Sequence, residues 1–108
     1  MDSHVILGPN FDSYYSNDGM IHDTRGNTSY FYGSDGSRTM SGSRGGTSYQ
    51  YGNVFSIHGN TFYDHGNTIS GNGKIYYLNG TMLTCGSKVW YNVHNRQDIM
   101  YILEKDNS

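Results

Sequence analysis

Gly52-Asn53-Val54-Phe55-Ser56-Ile57-His58 and Gly59-Asn60-Thr61-Phe62-Tyr63-Asp64-His65 are successive turns of one seven-residue repeat. The register runs from Gly45 to Val93 and reads GGTSYQY, GNVFSIH, GNTFYDH, GNTISGN, GKIYYLN, GTMLTCG and SKVWYNV. Gly45, Gly52, Gly59, Gly66, Gly73 and Gly80 open six of these heptads, and Ser87 takes the seventh slot. A second period lies over the first. Tyr49, Tyr63, Tyr77 and Tyr91 return every fourteen residues, with Ser56, Ser70 and Thr84 midway between them. Self-similarity at a fixed period is the mark of a repeat architecture.

Inside each heptad the apolar residues alternate instead of recurring at helical spacing. The fourth position is apolar or aromatic in six of seven cases: Phe55, Phe62, Ile69, Tyr76, Leu83 and Trp90, with Ser48 the exception. The sixth is mixed (Gln50, Ile57, Asp64, Gly71, Leu78, Cys85, Asn92), and the fifth carries the alternating tyrosine and Ser/Thr. Period-two patterning in β-favouring residues, broken by glycine, predicts short strands of about three to five residues. Regular glycines exclude a helix here.

The chain is therefore expected to be all-β, a short-strand repeat protein. Two architectures fit. In a β-solenoid or β-roll with two heptads per coil, residues fourteen apart stack directly, which accounts for the tyrosine period and makes this the preferred reading. The alternative is an antiparallel β-meander with two-residue Gly-Asn turns of type II′. Its sixth positions then face the next fourth positions, pairing Gln50 with Phe55, Ile57 with Phe62, Asp64 with Ile69, Leu78 with Leu83 and Cys85 with Trp90. A meander with this pattern also needs a second layer or a partner over its apolar side.

Asn67-Thr68-Ile69-Ser70-Gly71 resembles the Asn-x-Val-x-Gly heptad of the grass ice-binding β-roll. Asn53 to Gly59 is similar to the repeat of trimeric autotransporter adhesin heads, which also use two heptads per coil. These resemblances cover residues 45–86 at most and imply a roll-like fold. Tyr and Phe stand where those families prefer small residues.

Outside the regular stretch, a single domain over 1–108 is expected. Residues 12–44 hold degenerate repeats, traced through Gly19, Gly26 and Gly33, with Gly33 to Arg44 read as a mobile loop. Residues 94–108 form a cap and tail: Ile99, Ile102 and Leu103 make either a short helix face capped by Asn95 or a final strand, and Glu104 to Ser108 a polar tail. Val5-Ile6-Leu7 is a short strand or cap closed by Gly8-Pro9-Asn10.

Hydrophobic residues make up 34% of the 108, and 11 residues are tyrosine, so a conventional rounded core is thin and either self-stacking or oligomerisation must compensate. A net charge of −2 gives no footprint for nucleic acid or for anionic membrane. The start, MDSHVILGPN, has no basic region, so no secretory signal is expected, and no apolar run reaches the length of a membrane span. An extracellular or virion-surface setting suits the repeat.

Candidate chemistry is sparse. His58 and His65 recur before glycine, but positions seven apart diverge in both architectures, so no metal site is expected. Cys85 sits at an alternating apolar position and reads as a buried, inert thiol; with His94 or His58 it makes no convincing nucleophile pair. The aspartates scatter over turns, Asp64 is the only one in the regular stretch, and no catalytic residue or cofactor is expected. The positive signal is the tyrosine row. If the fourth position faces inward, Tyr49, Tyr63, Tyr77 and Tyr91 face out, with Thr47 and Thr61 beside them, as a binding or assembly surface. The opposite arrangement, with the tyrosines packed inside against serine, would turn Phe55, Phe62, Leu83 and Trp90 to solvent. The function expected is a non-enzymatic protein that self-associates through this surface, as a homo-oligomer, fibre or filament component. A carbohydrate- or ice-binding module is the alternative.

Overall fold

The computed structural model describes residues 3–42 and 46–108. Gly45, which opens the regular repeat, and Ser43 and Arg44, at the end of the expected loop, lie outside them. The described residues form twelve strands: β1 (His4–Leu7), β2 (Ser13–Asn17), β3 (Met20–Asp23), β4 (Thr28–Ser34), β5 (Ser37–Ser41), β6 (Thr47–Tyr51), β7 (Val54–Ile57), β8 (Asn60–Asp64), β9 (Thr68–Gly71), β10 (Lys74–Asn79), β11 (Met82–Cys85) and β12 (Lys88–Trp90). One helix follows, α1 (Arg96–Asp106). The strands pair antiparallel in sequence order as a single meander. Leu7 and Tyr91 then bridge the first strand to the last, so the sheet is nearly closed like a barrel.

This pairing corrects the preferred coil. A two-heptad coil sets residues fourteen apart on neighbouring parallel strands, whereas here every strand pairs with the adjacent heptad and runs against it. The fourteen-residue period has another cause: it is the length of one hairpin. Tyr49 pairs with Ser56, Tyr63 with Ser70 and Tyr77 with Thr84, so a tyrosine on one strand meets a small hydroxyl residue on the next.

Most turns of the regular repeat follow two recipes. Gly52-Asn53, Gly80-Thr81 and Gly86-Ser87 are two-residue loops with the glycine first and at positive φ, as the II′ reading requires. His58-Gly59 and Asn72-Gly73 instead take positive φ at both residues (50° and 76°, 52° and 71°), the type I′ pattern. The turns at His58-Gly59 and Gly86-Ser87 each begin one residue earlier than expected, which changes the register. Phe55 rather than Ile57 faces Phe62, and Leu83 rather than Cys85 faces Trp90. The other three expected pairs, Gln50–Phe55, Asp64–Ile69 and Leu78–Leu83, form. A slip of two residues keeps every side chain on its face, so the burial pattern survives.

Inward positions build the core. Ile6, Tyr14, Ile21, Phe31, Met40, Phe55, Phe62, Ile69, Tyr76, Leu83 and Trp90 come one from each strand except β6, whose inward residues are Ser48 and Gln50, and all are buried. A barrel of this many strands leaves a lumen too wide for its own side chains to fill. The helix fills it. Eight consecutive residues of α1, Gln97 to Glu104, are buried, so it has no solvent face over two turns. It is not an end cap, and Glu104 to Ser108 is not a tail: the helix runs to Asp106, and Glu104 is 6% exposed. Asn95 does cap it, its side chain accepting from the Asp98 N–H.

The polar residues of α1 reach the surrounding wall. Asp98 accepts from Ser16 Oγ of β2 and meets His4 Nε2 of β1, both at 2.6 Å. Arg96 holds Asp64 of β8 with two hydrogen bonds of 2.6 and 2.8 Å. Glu104 meets His58 at the β7–β8 turn, Lys105 meets Asp23 of β3, and Asp106 binds Lys74 of β10 and Lys88 of β12. The second layer that a meander lacks is thus supplied by the chain's own last turns of helix.

The loop expected over Gly33 to Arg44 is mostly strand. Gly33 and Ser34 end β4, and Ser37–Ser41 form β5 with Met40 inside at 0% exposure. Serine and threonine fit a strand whose other face meets water, which composition alone reads as loop.

Candidate interaction surface

The outward positions alternate by strand. On β4 they hold Tyr30 and Tyr32, on β6 Tyr49 and Tyr51, on β8 Thr61 and Tyr63, and on β10 Ile75 and Tyr77, all exposed. Between them lie smaller residues: Ser37, Thr39 and Ser41 on β5, Val54 and Ser56 on β7, Thr68 and Ser70 on β9, Met82 and Thr84 on β11. Neighbouring strands are about 4.8 Å apart, so tyrosine ridges recur roughly every 9–10 Å around the wall with hydroxyl-rich furrows between.

All six residues of the expected surface point out. Tyr49, Tyr63, Tyr77 and Tyr91 are 38%, 51%, 53% and 52% exposed, and Thr47 and Thr61 are exposed too. They do not form a touching ladder. Each tyrosine stands one strand removed from the next, and the tilt of the strands staggers them: Tyr49 is level with Ser56 and Thr61, while Tyr63 is level with Val54 and Tyr51. A stagger of this kind accompanies closure of a sheet.

Sequence reasoning missed part of the surface. Tyr30, Tyr32 and Tyr51 alternate with buried neighbours, a signal present in the degenerate GNTSYFY heptad and in Tyr49-Gln50-Tyr51. Val5 and Leu7 are exposed beside Tyr91 at the seam. Phe11 is fully exposed, in a short 3-10 turn where Asn10 and Phe11 both hold positive φ (61° and 63°). Nothing in Gly8-Pro9-Asn10-Phe11 announces that strain. A groove lined by Leu7, Pro9, Phe11, Lys88, Val89 and Tyr91 runs along the seam.

Two of the groups weighed for chemistry are tied up in holding the helix. Asp64 is bound to Arg96, and His58 to Glu104. Burial pushes the Asp64 carboxyl up, but the Arg96 hydrogen bonds and the Gly66 N–H more than offset this and hold it below the usual range. The Cys85 thiol is only partly buried, not fully as expected; burial first, then the Asp106 charge, push it up, which disfavours the thiolate. His94 stacks on His4, ring centroids 3.7 Å apart. Among the described residues no three His, Cys, Asp or Glu converge as a metal site, and no helix is long and apolar enough to cross a membrane.

No family model, curated protein or solved structure matches the chain.

Proposed function

We propose that the chain is a non-enzymatic structural or interaction protein that self-associates through its tyrosine-rich outer β surface, as a homo-oligomer or as a unit of a fibre, filament or surface assembly. The observation that supports this reading is the face across the seam. Ile75 and Tyr77 on β10, Met82 and a single threonine, Thr84, on β11, Val89 on β12 with Tyr91 just after it, and Leu7 and Val5 on β1 follow one another round the wall, and Phe11 projects beside them. Contiguous apolar surface of this kind marks protein contacts.

The seam also dictates the route. Because Leu7 and Tyr91 join the outer strands, growth by pairing of free edges is closed off, and copies meet face to face. Phe11 stands next to a groove of its own chain, so a two-fold arrangement places each Phe11 in the other copy's groove, an isologous contact. Burying one phenylalanine yields about 1.5–3 kcal/mol, enough to offset the cost of roughly 1–2 kcal/mol for its left-handed backbone.

Light scattering coupled to size exclusion, run over a wide dilution range, tests the proposal. Oligomers that dissociate on dilution, and that Phe11→Ala with Tyr91→Ala reduces to monomer, are the expected result. A monomer at every concentration overturns it.

A further inference from the structure

The face on the far side of the sheet order from the seam differs in chemistry, and it carries an inference that is independent of self-association. On β4–β6 the outward residues are tyrosines and hydroxyl residues, without the aliphatic side chains of the seam. Tyr32 pairs with Thr39, and Thr39 pairs with Tyr49, so two tyrosines stand at one level on either side of a threonine. Tyr30 pairs with Ser41, and Ser37 with Tyr51, extending the same arrangement one step towards each end. Strand β5 is therefore the floor of a furrow and β4 and β6 are its walls, with backbones about 9–10 Å apart.

We infer that this furrow binds a neutral polysaccharide chain, stacked on Tyr32 and Tyr49 and hydrogen-bonded by the Ser37, Thr39 and Ser41 hydroxyls.

Three properties point to that ligand. The walls are aromatic and open: Tyr30, Tyr32 and Tyr51 are 48%, 59% and 63% exposed, with Tyr49 at 38%. A sugar ring offers C–H-rich faces that pack on such rings while its rim hydroxyls remain free to bond. The floor is hydroxyl-bearing throughout, and each serine or threonine both donates and accepts, matching the rim of a sugar. Finally, among the described residues the furrow lacks charge. Arg38 turns inward to Gln50 (2.9 Å), and Asp35 at the β4–β5 turn accepts from the Gln50 side chain (3.2 Å). An anionic glycan finds no cation among the described residues of the floor, and a peptide finds no free strand edge to extend, because β5 is paired on both sides.

The register explains why this site is particular. At β7 and β11 the floor carries Val54 or Met82, and at β9 the wall facing Tyr63 carries Ile75 level with Ser70. Two tyrosines facing each other across a hydroxyl floor occur at Tyr32–Thr39–Tyr49.

Native gel electrophoresis of the full chain through hydroxyethyl cellulose, xylan and galactomannan, with alginate as the anionic comparison, tests the site. Retardation by at least one neutral polymer is expected. Tyr32→Ala with Tyr49→Ala should weaken it tenfold or more, as loss of two stacking residues implies. Thr39→Tyr keeps a β-favouring residue, fills the floor and should give the same loss, while circular dichroism reports whether either variant remains folded. Tyr77→Ala with Tyr91→Ala should leave retardation intact while lowering oligomer size, which separates this site from the seam. Absence of retardation by every neutral polymer overturns the proposal. So does retardation by alginate alone, or equal loss in the furrow and seam variants.

Discussion

Leu7 and Tyr91 exchange both backbone hydrogen bonds, N–H to O=C at 3.1 Å in one direction and 2.8 Å in the other, across the join between the first and last strands. That bridge, with the Asn92 side-chain amide donating to the Val5 carbonyl at 2.9 Å, joins the two outer strands of the sheet. Tyr91→Pro deletes the N–H that donates to Leu7 while leaving the β11–β12 ladder in place. A loss of about 1–3 kcal/mol in urea unfolding is expected, together with time-dependent light scattering as the freed edges pair between molecules. A variant that stays clear and equally stable shows that closure does not depend on the bridge.

Acid should weaken the protein through three carboxylates. Burial raises Asp23, Asp64 and Asp106, but hydrogen bonds and charges outweigh it: from Asn27, Arg25 and Lys105 for Asp23, from Arg96 and Gly66 for Asp64, and from Lys88, Tyr76 and Lys74 for Asp106. All three end below the ordinary value of 3.8. A depressed folded pKa contributes stability that is present above the unfolded value and lost as pH falls through the folded one. The urea midpoint should therefore drop as pH goes from about 5 to 2. Asp64→Asn should lower the midpoint at pH 7 and shallow this decline; an unchanged slope refutes the role given to Asp64.

At the alkaline end the sign reverses. Burial first, then Asp12, push Tyr14 up to about 12. Burial also raises Tyr76, with a hydrogen bond to Asp106, and Tyr101, with the charge of Asp23 nearby. A group whose proton is held more tightly in the folded state contributes stability below its unfolded pKa, near 10, and loses it as pH rises further. Absorbance titration at 295 nm should show three of the eleven tyrosines ionising only as the fold is lost. Full, reversible titration of all eleven with the fold intact contradicts their burial.

Gly71 is constrained by space rather than by backbone angle. A Cβ there would lie 2.3 Å from the Thr61 carbonyl oxygen and 2.6 Å from Phe62 Cδ1. Gly71→Ala should cost about 1–3 kcal/mol, the scale of overpacking in a filled core. Equal urea midpoints for the variant and the parent would show that β8 and β9 can part at that point.

The extent to which the sequence revealed all this follows from which interactions are local. Alternation grouped Phe55, Phe62, Ile69, Tyr76, Leu83 and Trp90 on one face, because a side chain's face is fixed by its neighbours at two-residue spacing, but left open which face is inside; the structure buries this one. Strand order was not local. The same heptads serve a coil or a meander, and the choice turns on contacts between residues far apart, such as Leu7 with Tyr91. Turn placement differs by one residue at His58 and Asn72, which accept positive φ and so let the turn begin before the glycine, and at Gly86, a glycine outside the seven-residue register that opens its turn ahead of Ser87. The furrow was hidden for another reason. Its floor, Ser37 to Ser41, has the composition of a loop and becomes strand only because β4 and β6 flank it.

The C-terminal helix yields the sharpest test of the architecture. Twelve strands enclose more room than one inward side chain from each can fill, and Ile99, Met100, Tyr101, Ile102 and Leu103, all at 2% exposure or less, occupy that room. Without them, Phe55, Tyr76 and Leu83 would line a wet lumen, while Asp23 and Asp64 would lose Lys105 and Arg96. Truncation after His94 should therefore abolish cooperative urea unfolding instead of merely lowering its midpoint. Trp90, 3% exposed and tilted against Tyr76 with ring centroids 6.0 Å apart, reports on this directly. Its fluorescence should shift to the red in the truncated chain and recover on adding a synthetic peptide of residues 95–108. A truncated chain that unfolds cooperatively with unshifted Trp90 emission shows that the barrel holds itself together and that the helix is an accessory.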